Sequence, residues 1–483
     1  MASNMSKFLI DVPPPTISGF LHMGHVFSYC HMDFIARYHR QIKGEELVYP
    51  FCYDNNGLPT EKLAHQQGIK DQKDIIDFSH EQSLGYSLFF QQIEMGYSQH
   101  HYSTFSENAI KLAQKSFHDL VEKGYAYKAE TEYFYCPKMK TSVSQNEIDA
   151  NGCYERSGAK VEVRTGEGWF IKVKDQIPRI RQAVEQIVWQ PEMYKHRLLR
   201  WLDDVKYDWS ISRERKFGIP IPGEPEGIVF DTWHTSSLSP QLAWMGEDAH
   251  LAHQKEGIWE PSLQCPIFDV RFQAHDIIRT WALFTIIKSL YHNDQIPWKA
   301  IVISGHALDK DGHKISKSAG NYVPPQQYIE QYGAAGVRFW TAQNTIGTDT
   351  RCNPAVMDAG KRHVTKIKNA KRFLDMRPDT NTSERHEKEW SEMKQGIINA
   401  FEVHNYQEAG YLLFTYFWHH FCDNHIEESK KKPINGNLKR IFDEMMPFIE
   451  VFMPGIRFHL EKKDVPADVR AEGLPADGAG REA

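Results

Sequence analysis

No apolar run in this 483-residue chain approaches the roughly 18 residues that a membrane-spanning helix needs. The first residues lack the basic-then-apolar plan of a secretory leader. Cysteine is scarce, and the seven present are odd in number and widely scattered, so they make no disulfide framework and point to a reducing cytoplasm. Basic charge is not in excess either. With a net charge of −6, a nucleic-acid partner needs a local cationic face. The P-loop pattern Gly-x-x-x-x-Gly-Lys-Ser/Thr is missing, as are internal repeats and any cluster suited to metal- or base-driven hydrolysis. What is there, 41% apolar and 25% charged residues, is ordinary globular composition with length enough for two or three domains.

The chain is organised around PPPTISGFLHMGH near its start. Phe8, Leu9, Ile10 and Val12 read as a buried strand that three prolines end, since proline cannot extend a ladder. Ser18 and Gly19 turn the chain, and a helix is predicted from about His22 through Val26, Phe27 and Phe34. His22 and His25 then share one face of its first turn, with Gly24 leaving room beside them. Free N–H groups and the positive dipole end of a helix suit polyphosphate.

Strand–helix alternation over 1–125 predicts a parallel α/β sheet, with a strand at Leu47–Tyr53 and helices at Thr60–Gln67 and Asn108–Glu122. Asp54 follows the strand, at the edge where such sheets bind ligands. Over 126–210 the texture is short-stranded, polar and Gly-containing. Cys136 and Cys153 each supply a single thiolate, with Met139 and Arg156 where a zinc knuckle places its second, so no zinc is expected and two buried cysteines are the reading. Lys195, His196, Arg197 and Arg200 suit either phosphate or solvent. From 211 to 345 the α/β texture returns, with strands at Ile228–Trp233, Ile267–Phe272 and Ala300–Ser304. The last leads into GHALDKDGHKISKSAGN, whose Asp311-Gly312 turn puts Lys314–Ser318 on an exposed loop. Residues 346–462 read as helical, with Lys361, Arg362, Lys366, Lys368, Lys371 and Arg372 the densest basic patch, and 463–483 as a disordered tail.

Together HMGH and KISKS fit one reaction. Attack of a carboxylate on the α-phosphate of ATP builds charge on phosphoryl oxygens, which imidazole N–H groups and mobile lysines stabilise without covalent catalysis.

The two motifs resemble the HIGH and KMSKS signatures of class I aminoacyl-tRNA synthetases. PPPTISGFLHMGH, YDNNGLPTEKLA, YDWSISRERKFGIPIP, DTWHTSSLSPQ, HDIIRTWALFTI and HKISKSAGN, all in the family's order, are similar to its valyl branch. The resemblance implies a Rossmann-like nucleotide-binding catalytic domain (1–125 and 211–345), a small connective insertion (126–210) and a C-terminal α-helical bundle (346–462). It implies ATP with Mg2+, an amino acid (valine or a close relative) and tRNA as ligands. His22, Gly24 and His25 would contact ATP phosphate and adenine, and Lys314 and Lys317 the pyrophosphate side, with Ser316 and Ser318 in the same loop. Asp276 would hold the ribose and His306 lie near the adenine. Asp54 would pair with the amino group of the amino acid. Pro14, Trp233, Ile277 and Trp281 would wall the side-chain pocket, and Arg362, Lys366, Lys368 and Lys371 would contact tRNA.

The chain also departs from the family. Ala274 stands where the family has glycine, and Ile315 where it has methionine. GCYERSGAK runs almost directly into GWF, too short for the hydrolytic editing domain that interrupts the insertion in this subgroup. Two other readings stay open: a paralogue that hands its adenylate to a non-tRNA acceptor, and a non-catalytic RNA-binding module.

Overall fold

Continuous apolar runs such as Ala300–Ser304 bury both faces of a strand, which is the environment of a parallel sheet covered by helices. The computed structural model has that arrangement; it describes residues 6–19, 21–139, 141–155, 157–252, 261–315, 320–377, 383–432 and 434–461. The expected tail and Arg156 lie outside these residues.

The chain forms β1 (Lys7–Asp11), α1 (Met23–Tyr38), β2 (Glu46–Val48), β3 (Pro50–Tyr53) and β4 (Ser98–Ser103). Later come β5 (Val188–Gln190), α2 (Met193–Asp203), β6 (Phe268–Ala274) and β7 (Trp298–Ser304). The central sheet runs β2-β1-β6-β7-β5, parallel throughout, and β3 pairs with β4, also parallel. Val270, Phe272, Ile301, Val302 and Ile303 are buried in this sheet. The expected strand at 47–53 is two strands, because the chain leaves one ladder at Tyr49 and joins another. Expected helices appear at Leu58–Gln66 and Glu107–Glu122.

Between the two α/β segments, Ala126–Cys136 and Glu162–Ile171 form a long antiparallel hairpin flanked by Thr141–Val143 and Trp209–Ser210. Its tip carries a small apolar cluster of Cys136, Val143 and Tyr154. Cys136 is buried with its Sγ 3.4 Å from Ser157 Oγ, whereas Cys153 is only half-buried, which corrects the expectation of two buried cysteines.

Helices α3 (Pro325–Ala342), α4 (Pro354–Asp375), α5 (Glu384–Glu402), α6 (Tyr406–Thr415) and α7 (Asn435–Phe452) complete the fold, α6 running on through a wide-turned segment at Tyr416–Ile426. A buried ion pair locks these helices to the sheet region. Arg338 Nη2 on α3 lies 2.7 Å from Asp33 Oδ2 on α1, and Arg338 Nε donates to the Phe452 carbonyl of α7 at 2.8 Å. Arg37 and the Gly96 N–H also bond Asp33, so the buried carboxylate is fully compensated.

Candidate active site

Three of the expected nucleotide-side residues, and Asp54 on the amino-acid side, follow the C-terminal end of a parallel strand: His22 after β1, Asp276 after β6, His306 after β7 and Asp54 after β3. A doubly wound sheet opens its ligand crevice at that edge.

His22 caps α1. Its Nδ1 accepts the Gly24 N–H at 3.1 Å, and His25 Nδ1 accepts the His22 N–H at 3.1 Å, a reciprocal capping box. A ring nitrogen that accepts from an amide carries no proton, so both neutral imidazoles hold their proton on Nε2. The amides of Gly24, His25 and Val26 are already bonded. Thus α1 offers imidazole Nε2–H donors more than the free amides expected of a helix start. A Cβ at Gly24 would sit 2.8 Å from the His22 ring, which explains the glycine.

Although His22 is exposed at its outer edge, desolvation by the surrounding crevice pulls it below the ordinary imidazole range; Asp276 opposes this, while His306 and Lys314 add to it. His25 falls to about 3 through burial and the neighbouring His22. These causes are themselves spatial. Motif residues far apart in sequence act on one another across a single crevice.

Asp276 and His306 face each other, with Asp276 Oδ2 3.7 Å from His306 Nε2. Desolvation pushes Asp276 up, but the neighbouring His306, with His275, outweighs it and holds the carboxyl low. One segment beside them, Thr348 and Asp349, was not singled out in the sequence. Asp349 Oδ1 accepts the His306 N–H at 2.8 Å and lies 3.2 Å from His275 Nε2. Gly305 packs so closely on the Thr348 carbonyl that a Cβ would stand 2.0 Å from it.

Lys314 is exposed and closes a short hairpin on Leu308. Asp309 organises that hairpin: Oδ1 accepts the N–H groups of Asp311 and His313 at 2.9 and 2.8 Å, and Oδ2 accepts from Asn321 at 2.8 Å. Those donors hold Asp309 down at about 2. Gly312, at φ +92°, makes the expected turn. Ser316, Lys317 and Ser318 lie outside the described residues. Tyr322, just beyond them, donates to the Leu21 carbonyl at 2.9 Å and so ties the end of this loop to the first motif.

On the opposite side Asp54 is buried beside the proline turn. Its amide bonds the Pro15 carbonyl at 2.9 Å, its carbonyl accepts from Ile17 at 2.8 Å, and Oδ1 accepts from Thr104 at 2.5 Å. Next to it Asn56 is fully buried with its amide oxygen and nitrogen unpartnered among the described residues, another polar group the sequence did not flag.

A family model described as tRNA synthetases class I (I, L, M and V) matches residues 1–223 and 225–353. The chain belongs to the class I tRNA synthetases. The synthetase is 27% identical to the valine–tRNA ligase of Ehrlichia canis (strain Jake), covering 94% of this chain and 82% of the relative. It is 28% identical to that of Rickettsia prowazekii (strain Madrid E), covering 89% and 79%. The Ehrlichia alignment runs over 674 positions, more than the 483 residues available here, so the relative carries a long stretch without counterpart in this synthetase. In fold it is similar to the agnB2 LeuRS of Agrobacterium radiobacter K84, solved in a ternary complex with tRNA and LeuAMS, at a TM-score of 0.80 and 16% identity over 95% of this chain and 85% of that one. A methionyl-tRNA synthetase of Mycobacterium tuberculosis in complex with methionyl-adenylate gives 0.75 and 17%, covering 93% and 92%.

The expected pocket walls of the synthetase differ in character. Pro14, Trp233 and Ile277 are half-buried, and Trp233 Nε1 donates to Glu147 Oε1 at 3.3 Å. Trp281 is fully buried, its indole donating to the Ser236 carbonyl at 2.8 Å. The expected tRNA cations sit on α4, but they are not equally available. Arg362 pairs with Asp358, Lys366 with Asp423 at 2.6 Å and Lys371 with Asp375 at 2.5 Å, while Lys368 has no carboxylate in range among the described residues. On α2, by contrast, Arg197 and Arg200 are exposed and have no acidic partner among the described residues.

Proposed function

We propose that this synthetase condenses an amino acid, valine or a close relative, with ATP to an aminoacyl-adenylate and transfers it to tRNA without a hydrolytic editing step. The observation that carries the reading is the meeting of His22, Asp276, His306 and Lys314 at the strand ends, in a chain whose curated relatives are valine–tRNA ligases. In this reading the Nε2–H groups of His22 and His25 donate to the phosphoryl oxygens as charge builds, and Lys314 with Lys317 neutralises the departing pyrophosphate. Asp276 takes the ribose hydroxyls, His306 lies at the adenine, Gly24 lets the nucleotide approach α1, and Ser316 and Ser318 belong to the phosphate loop. Asp54 takes the ammonium group, while Pro14, Trp233, Ile277 and Trp281 enclose the side chain.

Mg2+ belongs with the nucleotide here. It prefers oxygen ligands and keeps several waters, and the one group of three potential ligands among the described residues, His275, His306 and Asp349, is nitrogen-rich. The phosphates and water would hold the ion, and it would supply charge neutralisation. The cytoplasm is the proposed setting.

The internal pairing of three of the four α4 cations favours a second reading, a paralogue whose adenylate goes to a small nucleophile. Amino-acid-dependent pyrophosphate exchange followed by charging of total tRNA separates the two. Exchange with charging supports the first reading, and exchange without charging the second.

A further inference from the structure

His275, His306 and Asp349 present ligand atoms that all lie within 4.8 Å of one another. They come from three segments that the fold locks together. The turn after β7 is zipped to 348–350 by the Thr350 N–H to the His306 carbonyl at 2.8 Å and by the Gly305 contact. Tyr194 on α2 anchors the segment that carries Asp349 through its hydroxyl to the Gly347 carbonyl at 2.7 Å, and its ring stacks on His275 at 5.8 Å and 10°. Such outer partners fix ring orientation, as supports for a metal ligand do.

We propose that His275, His306 and Asp349 form a divalent transition-metal site, for an ion of the Zn2+, Co2+ or Ni2+ kind, whose occupation shuts out the nucleotide. The donor set is two imidazoles and a carboxylate, the borderline nitrogen–oxygen chemistry that such ions take and that Mg2+ and Ca2+ do not. Bonds of about 2.0–2.1 Å place tetrahedral ligand atoms about 3.3 Å apart; one edge of the group has that length, His275 Nε2 to Asp349 Oδ1 at 3.2 Å, and the remaining edges, within 4.8 Å, close by small side-chain rotations. Three protein ligands leave the fourth position open, and Asp276 is at hand, 3.7 Å from His306 Nε2. The blocking half of the proposal rests on the reading above, in which His306 and Asp276 meet the adenosine. A metal that takes His306 removes that contact, so metal and ATP compete.

Co2+ is the probe, since a tetrahedral site gives it strong visible absorption. Titration of the full-length chain is expected to bind Co2+ with that spectrum, and His275→Ala and the near-isosteric Asp349→Asn are each expected to weaken binding at least tenfold while melting as the parent does. No tetrahedral Co2+ spectrum, or one unchanged in both variants, overturns the site. In pyrophosphate exchange, Zn2+ is expected to raise the apparent KM for ATP at least tenfold with kcat preserved, and His275→Ala to relieve that inhibition. Inhibition that ATP does not overcome overturns the blocking role. Exchange absent with every amino acid would instead sink the adenylate reading and leave the Co2+ result to decide the site.

Discussion

His25 Nδ1 accepts the amide proton of His22 at 3.1 Å, and that one bond does two things. It completes the cap of α1, and it forces the His25 proton onto Nε2. The pair is a structural cap and, in the proposed reading, also a phosphate donor, and the two roles are separable by substitution.

His22→Asn keeps a good capping residue but deletes the Nε2–H. It should change stability by no more than about 1 kcal/mol and lower adenylate formation by about 10²–10³-fold, the usual cost of one transition-state donor. Melting and pyrophosphate exchange measured on the same preparation check this. Parallel losses in both would reduce His22 to a cap.

Acid should destabilise the protein well above the carboxylate range. His31 is fully buried and held at about 4, by burial first, against an unfolded value of 6.5. A depressed histidine favours folding fully above 6.5, and that contribution is lost as pH falls from 6.5 towards 4. At pH 5 the loss from His31 alone is about 2 kcal/mol. Half-buried His363, also near 4 through burial, acts with the same sign. Urea midpoints should fall between pH 7 and 5, and His31→Gln should flatten that slope. A slope unchanged by the substitution would assign it elsewhere.

Arg338→Met should be costly although it only adds apolar surface to a core. It strips the Phe452 and Val451 carbonyls of a donor and removes one of the two guanidinium groups that compensate buried Asp33. Removing one partner of a buried pair typically costs about 3–5 kcal/mol. With Arg37 still on Asp33, the lower end is expected. Chemical denaturation measures it.

RNA affinity should depend more on α2 than on the denser basic patch of α4. Arg197→Gln with Arg200→Gln should weaken tRNA binding and flatten its salt dependence by close to one unit per lost phosphate contact. Lys366→Gln with Lys371→Gln should do less, because both lysines already neutralise aspartates. Fluorescence anisotropy over a salt series decides, and the reverse order would restore α4 as the RNA face.

The sheet was legible because buried parallel strands leave unbroken apolar runs, as at Ala300–Ser304, and α1 because the apolar positions Val26, Phe27 and Phe34 follow a clear turn at Ser18 and Gly19. Helix Gln72–Gln92 was not, since Leu84 and Leu88 are 65% and 60% exposed and blur its apolar face. The turn was read at Asp311-Gly312, whereas Asp309, which carried no signal of its own, is the organiser of the hairpin that carries Lys314. Asp349 had no local signal at all. Its partners His275 and His306 belong to other strand ends, and the packing of Gly305 on Thr348 and the bond from the Thr350 N–H to the His306 carbonyl bring them together. The same holds for Lys366, whose partner Asp423 arrives from another helix.

The proposed reaction is activation of valine without correction. An apolar pocket rejects a hydroxyl-bearing isostere poorly, and for valyl enzymes the known discrimination against threonine is about 10²-fold. The direct measurement is the lifetime of Thr-tRNA with the purified protein, after pyrophosphate exchange with valine and with threonine. Exchange with both is expected, valine favoured by about 10²-fold, with Thr-tRNA surviving as long as in buffer. Rapid hydrolysis of Thr-tRNA, or exchange with neither amino acid, would contradict it.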